Sequence, residues 1–149
     1  DERVANRAMG ISVCEFPTTN ATARTAVNAS EATVLGAPNV LRGKSHTGAI
    51  NATDAIAENF CSVLASDYHY SSQLAAITKL GGKNPAAMAA FWPYISGNAA
   101  NAVELSDRGQ IAPGKLADLV LYRIVGGHPQ IVAVFCKGCC RHLLDAARI

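Results

Sequence analysis

Residues 32–50 read ATVLGAPNVLRGKSHTGAI, and the parsing of this stretch decides the fold. Its opening, ATVLGA (32–37), is a short apolar run without polar alternation, the pattern of a strand buried on both faces. Gly36 and Pro38 stop it. A loop rich in glycine and basic residues follows, and then NATDAIAENF (51–60), a helical pattern with Asn51 or Thr53 as its N-cap. Strand, loop and helix in that order make either a nucleotide-binding unit or an ordinary parallel β/α unit.

Gly43-Lys44-Ser45 matches the end of a phosphate-binding P-loop, which requires G-x-x-x-x-G-K-[ST]. The position of the first glycine is Pro38. Proline has no N–H, and the P-loop works by directing backbone N–H groups at phosphate. The ATP reading is therefore set aside. What survives is a dense set of donors, Arg42, Lys44, Ser45, His46 and Thr47, beside two glycines. At the C-terminal end of a parallel strand such side chains can hold a phosphorylated ligand. The competing reading is a connection whose charges face water.

Working outward, ISVCEF (11–16) predicts another buried strand and TNATARTAVNAS (19–30) a helix capped by Thr19 or Asn20. CSVLAS (61–66) predicts a third strand, with Asp67 directly after it. Residues 2–9 fit the tail of a helix, 71–80 and 84–92 two more, and 97–104 a short one. Asn84 caps the second of these, with Pro85 at its first position. Repeated strand–helix pairs with doubly buried strands indicate parallel α/β architecture. From about residue 106 turn signals separate β-rich runs: ADLVLYRI and QIVAVFCK predict a hairpin around VGGHP. Two regions are expected, 1–106 made of β/α units and 107–149 made of closing β strands.

The chain has 149 residues, of which 50% are hydrophobic and 16% charged, a globular composition. Its net charge of +2 gives no argument for a nucleic-acid partner or a membrane surface. No apolar run approaches the roughly 20 residues of a spanning helix, and the first residues carry no signal-peptide core. A reducing cytoplasm is the expected compartment, because five cysteines, three of them crowded at 136, 139 and 140, make a poor disulfide framework. Cys14 and Cys61 lie in apolar runs and read as small buried hydrophobes. Cys136, Cys139, Cys140 and His142 supply one C-x-x-C, half a zinc site, and read as the end of a hairpin.

Asp67 is the candidate for chemistry. A carboxylate ending a buried apolar strand is costly unless it is hydrogen-bonded, capping or bound to metal. Its bland alternative is a turn or an N-cap. His69 and Tyr70 can line the same mouth; Glu15 can point into it or pair with Arg42. Trp92 reads as core and His128 as exposed in its turn.

Four stretches, CEFPTT (14–19), GAPNVLRGKSHTG (36–48), ASDYHYSS (65–72) and DRGQIAPGKLADLVL (107–121), resemble the C-terminal part of amidohydrolase-superfamily enzymes. The last is general to the superfamily. The others resemble a branch that hydrolyses a phosphorylated ribose phosphonate, releasing diphosphate in phosphonate breakdown. The resemblance implies a (β/α)8 TIM-like barrel with a small β-sandwich and a divalent metal, zinc first and manganese next, at the barrel mouth. It implies that Asp67, ending strand eight, is both metal ligand and catalytic base, and that Arg42, Lys44, Ser45 and His46 hold phosphate or sugar, with His46 alternatively a metal ligand. Departures are Lys44 in place of a small residue, the altered YHYSS, and Ala99 after Asn98 where Asn-Pro is common. A barrel of this kind takes roughly 250 residues, so the resemblance implies a fragment, units six to eight, lacking the earlier metal ligands. Three barrel strands leave two open edges. Such a chain is expected to be inactive alone and to self-associate or pair with the missing half. The alternatives are another amidohydrolase, a deacetylase or cyclic amidase, sharing Asp67 but not the basic loop, or a non-catalytic chain that completes its barrel with a partner.

Overall fold

The structure, a computed structural model, describes residues 2–43, 50–82 and 84–144. The chain divides into two compact units, Asp1–Gln73 and Leu74–Ile149. Among the described residues the chain is mixed α/β with two small sheets.

In the first unit, α1 (Glu2–Ala8) precedes β1 (Val13–Glu15), α2 (Asn20–Asn28), β2 (Ala32–Gly36), α3 (Ala37–Arg42), α4 (Ala52–Ala57) and β3 (Val63–Ala65). The strands form a parallel sheet in the order β1-β2-β3, with Val13 opposite Ala32 and Val34 opposite Val63. Leu35, Val63 and Leu64 are buried, Leu64 completely. Thr33 is also fully buried, and Ser62 satisfies it: Ser62 Oγ accepts from Thr33 N–H at 2.8 Å and lies 3.1 Å from Thr33 Oγ1. A buried hydroxyl is tolerated because it is paired.

The helices start where the sequence offers caps. Thr19 Oγ1 accepts from Thr22 N–H, and Asn51 Oδ1 accepts from Thr53 N–H at 2.8 Å. α2 turns Ala23 and Ala26 inward, three residues apart on one face. Glu31, just before β2, is buried and paired by Arg3 and by Arg7 at 2.8 Å.

The stretch expected to be a loop throughout is not. Residues 37–42 form α3, capped by Gly36 and ended by Gly43 at φ +74°. Proline is suited to the first turn of a helix, where its missing N–H has no intrahelical partner to lose. Glycine supplies the left-handed terminus without a Cβ penalty. The residue that ruled out a P-loop therefore opens a helix.

α5 (Ser72–Leu80) leads into the second unit, which continues through α6 (Pro85–Phe91), a 3-10 turn (Trp92–Ile95) and α7 (Gly97–Ala102). Asn84 Oδ1 caps α6 through Ala86 N–H at 3.0 Å. Then β4 (Leu119–Val125), β5 (His128–Cys136) and β6 (Cys139–Leu143) form an antiparallel sheet in the order β4-β5-β6. The expected hairpin is present, turning at Gly126 and Gly127, both with positive φ. β6 is an additional strand that the sequence pattern did not announce. Residue 106 falls inside this unit, with helices before it and strands after it.

Candidate functional site

All three parallel strands point their C-terminal ends the same way, and the residues just beyond them converge. Phe16 follows β1 at φ +49°, and Asp67 follows β3 at φ +54°. Both are non-glycine residues in the left-handed region, which costs of order 1–3 kcal/mol each and marks positions where the chain is held in an unusual direction. Gly36 ends the central strand between them. A Cβ built on Gly36 would lie 3.1 Å from Asp67 Oδ2 and 3.6 Å from Phe16 Cε1. The Asp67 carboxylate thus rests over the end of β2, in room that exists because residue 36 has no side chain.

Arg42 reaches this end from the last turn of α3. Its guanidinium carbon lies 5.6 Å from the centre of the Tyr68 ring, a cation–π distance. This is where Arg42 is found, rather than on Glu15, which is exposed. The 66–72 segment is tied down by its own hydrogen bonds: His69 N–H to Ser66 O at 3.1 Å, and Ser72 Oγ to Ser66 O at 3.1 Å. His69 Nε2 is 2.8 Å from Ser71 Oγ. Gln73 Nε2 donates to Leu64 O at 2.9 Å, anchoring the segment to β3. Asp67 and the tyrosines beside it stand exposed, Tyr70 at 88%.

The basic loop is pinned at both described ends. Asn39 Nδ2 donates to Ile50 O at 2.8 Å, and Asn39 Oδ1 accepts from Ala52 N–H at 3.1 Å. Asn51 Nδ2 donates to Gly43 O at 2.8 Å. Lys44, Ser45 and His46 lie outside the described residues. The structure therefore brings Asp67 and the Arg42–Tyr68 pair to one end of one sheet. Gly36 and Tyr68 were missed as participants by sequence reading. The signals were a glycine at a strand end and an aromatic beside the key carboxylate, each too common to single out alone.

Among the described residues no cluster of three His, Cys, Asp or Glu side chains is placed to hold a metal. A bound divalent ion takes at least three protein ligands in a catalytic zinc site. The described residues do not by themselves fit a metal.

The second unit contains a cavity of about 460 Å³, walled by Trp92, Ile111, Leu119, Leu121 and Phe135 with Asp118 among its polar members. Trp92, half-buried, stacks on Tyr122 at 5.6 Å and 11°. The cavity carries none of the candidate chemistry. His128 is exposed as expected.

The fold and site define an α/β protein with a carboxylate and a cation at the C-terminal ends of parallel strands, where such sheets place their ligands. The chain is similar to the alpha-D-ribose 1-methylphosphonate 5-triphosphate diphosphatase of Escherichia coli (strain K12), with 33% identity over 132 residues. The alignment takes in 87% of this chain and 35% of the relative, so the chain spans about a third of that protein's length. No protein-family model matches the chain. Among the described residues no helix is long and apolar enough to cross a membrane.

Proposed function

We propose that this chain is the C-terminal portion of a metal-dependent hydrolase of phosphonate breakdown. Its substrate would be a ribose phosphonate carrying a 5-triphosphate, from which diphosphate is released. The observation that carries this reading is the 33% identity to a diphosphatase named for that substrate. The convergence of Asp67, Gly36 and Arg42 within one unit supports it.

In this reading the parallel sheet is three strands of a TIM-like barrel, and the antiparallel sheet is part of its β-sandwich. Both edges of the parallel sheet, β1 and β3, have no further strand on them among the described residues, and such edges are the natural seam for more barrel strands. The exposed Asp67 carboxylate takes the proton of the attacking water, a role worth about 10²–10⁴ in rate. Arg42 offers planar paired donors to phosphate oxygens and is pre-positioned by the Tyr68 ring. Lys44, Ser45 and His46 are proposed to extend that phosphate site. Asp67 is further proposed as one ligand of a divalent ion, zinc first and manganese next, whose other ligands lie in a longer polypeptide or a partner chain. The protein is proposed to work in the cytoplasm.

The test uses the complete natural polypeptide and measures diphosphate release from the ribose phosphonate triphosphate. Asp67→Asn is expected to lower kcat by at least about a hundredfold without lowering Tm, since the carboxylate is exposed. Arg42→Ala is expected to raise KM for the triphosphate. Wild-type turnover of N-acyl or cyclic amide substrates with none of the triphosphate would move the protein to another amidohydrolase activity.

A further inference from the structure

The three C-terminal cysteines have no part in the proposed hydrolysis, yet the hairpin that carries them is specifically built. Cys136 ends β5 and Cys139 starts β6, and the two are register partners. Lys137 and Gly138 between them both have positive φ, +51° and +78°, the signature of a type I′ two-residue turn. Residues flanking such a turn face each other with Cα atoms roughly 4.5–5.5 Å apart. That separation lies inside the window of roughly 4.4–6.8 Å that a disulfide spans. The turn is also held from outside: Lys137 N–H donates to Asp118 Oδ1 at 2.8 Å, and Gly138 N–H donates to Ala117 O at 2.9 Å. All five cysteines are free thiols, but Cys14 and Cys61 are buried, whereas Cys136, Cys139 and Cys140 are exposed. Cys140 pairs with Phe135 and, as the next residue along the strand, points to the face opposite Cys139.

We propose that Cys136 and Cys139 form a reversible dithiol–disulfide site, open to exchange with low-molecular-weight disulfides such as oxidised glutathione. The thiolate of one cysteine attacks a glutathione sulfur, breaking its S–S bond and releasing one glutathione thiol. The second cysteine then attacks the mixed disulfide and releases the other. The sum is one protein dithiol plus one glutathione disulfide giving one protein disulfide plus two glutathione thiols. The fixed turn makes the second step intramolecular, so the mixed disulfide is short-lived.

The test incubates the full chain with oxidised glutathione, blocks remaining thiols with N-ethylmaleimide and digests with trypsin without reduction. Trypsin cuts after Lys137, so the two cysteines fall in separate peptides, IVGGHPQIVAVFCK and GCCR. These peptides are expected to appear joined, from monomeric protein, and to separate on adding dithiothreitol. Cys140→Ser should leave the link in place, and Cys139→Ser should remove it and leave glutathione on Cys136. Maleimide on both Cys136 and Cys139, a link that persists in Cys139→Ser, or only glutathione adducts and intermolecular dimers would each overturn the proposal.

Discussion

In the parallel sheet Leu35, Val63 and Leu64 are buried, and the central strand β2 has buried residues along nearly its whole length. In the antiparallel sheet Ala133 is buried, β4 is largely open and every residue of β6 is exposed. Both sheets have three strands, so hydrogen-bond ladders do not separate them. Apolar burial does. The first sheet gains about 25 cal/mol for each Å² of apolar surface removed from water, while the second leaves Val120, Leu121, Val125, Ile131 and Leu143 accessible. A filled sheet can carry chemistry only where its strands end, and Asp67, Phe16 and Gly36 stand there. An open sheet carries reactive groups along its surface, and the thiols of β5 and β6 stand there.

Core truncation separates the two most sharply. Leu64→Ala in β3 removes a fully buried side chain and is expected to cost about 2–5 kcal/mol. Leu121→Ala in β4, 47% exposed, is expected to cost under about 1 kcal/mol. Urea denaturation of the two variants measures the difference, and equal losses would erase the distinction between the sheets.

Thiol chemistry gives the next largest contrast. Burial pushes the Cys61 thiol up to about 12 from an ordinary 9.0, so its nucleophilic thiolate is scarce near neutral pH. Iodoacetamide at pH 8 is expected to label exposed Cys139 and to leave buried Cys61 largely unlabelled, read by mass spectrometry of timed digests. The same shift has a stability consequence. The folded state keeps the Cys61 proton that the unfolded chain loses above 9.0, so this contribution is intact below pH 9 and is lost as pH rises toward 12.

Smaller effects test the strand ends. Gly36 has φ −78°, which alanine tolerates, so Gly36→Ala strains no backbone and acts by pressing a methyl toward Asp67 Oδ2. In the complete polypeptide it is expected to lower kcat about tenfold, since displacement of a catalytic group by about 1 Å can cost about a hundredfold, with Tm nearly unchanged. A full loss of fold would mean that Gly36 is packing rather than room for the carboxylate. Least in size, Tyr68→Ala removes a cation–π contact worth about 0.5–1 kcal/mol. It is expected to raise KM a few-fold at constant kcat.

Much of this was legible along the chain. The three parallel strands followed from short apolar runs ended by turn residues, although β1 was expected to be buried and keeps only Cys14 so, with Ile11, Glu15 and Phe16 exposed. Asn51, Asn84 and Thr19 announced their helices through side chains that reach local N–H groups. These are short-range signals, and short-range physics sets them. The helix at 37–42 was not legible, because Gly-Ala-Pro reads equally as a break and as a helix start. β6 was hidden for a related reason: CCRHL has no apolar alternation, and its strand exists by pairing with β5. At the site, Asp67 could be picked out as a carboxylate following a buried strand, but the burial cost expected of it is not borne, because β3 ends before it and its side chain stands exposed. Its neighbours could not, since their nearness comes from strands at 13–15, 32–36 and 63–65 lying side by side.

The sequence alone determined the alternation of strands and helices, the exclusion of an ATP-type loop through Pro38, and Asp67 as the residue to watch. The tertiary structure decided that Asp67 rests over Gly36, that Arg42 lies on Tyr68, and that Cys136 faces Cys139 across a two-residue turn. Strand formation and capping are governed by neighbours a few residues away, which a sequence displays. Register and convergence at strand ends depend on which distant segments pair, and that is fixed only when the whole sheet packs.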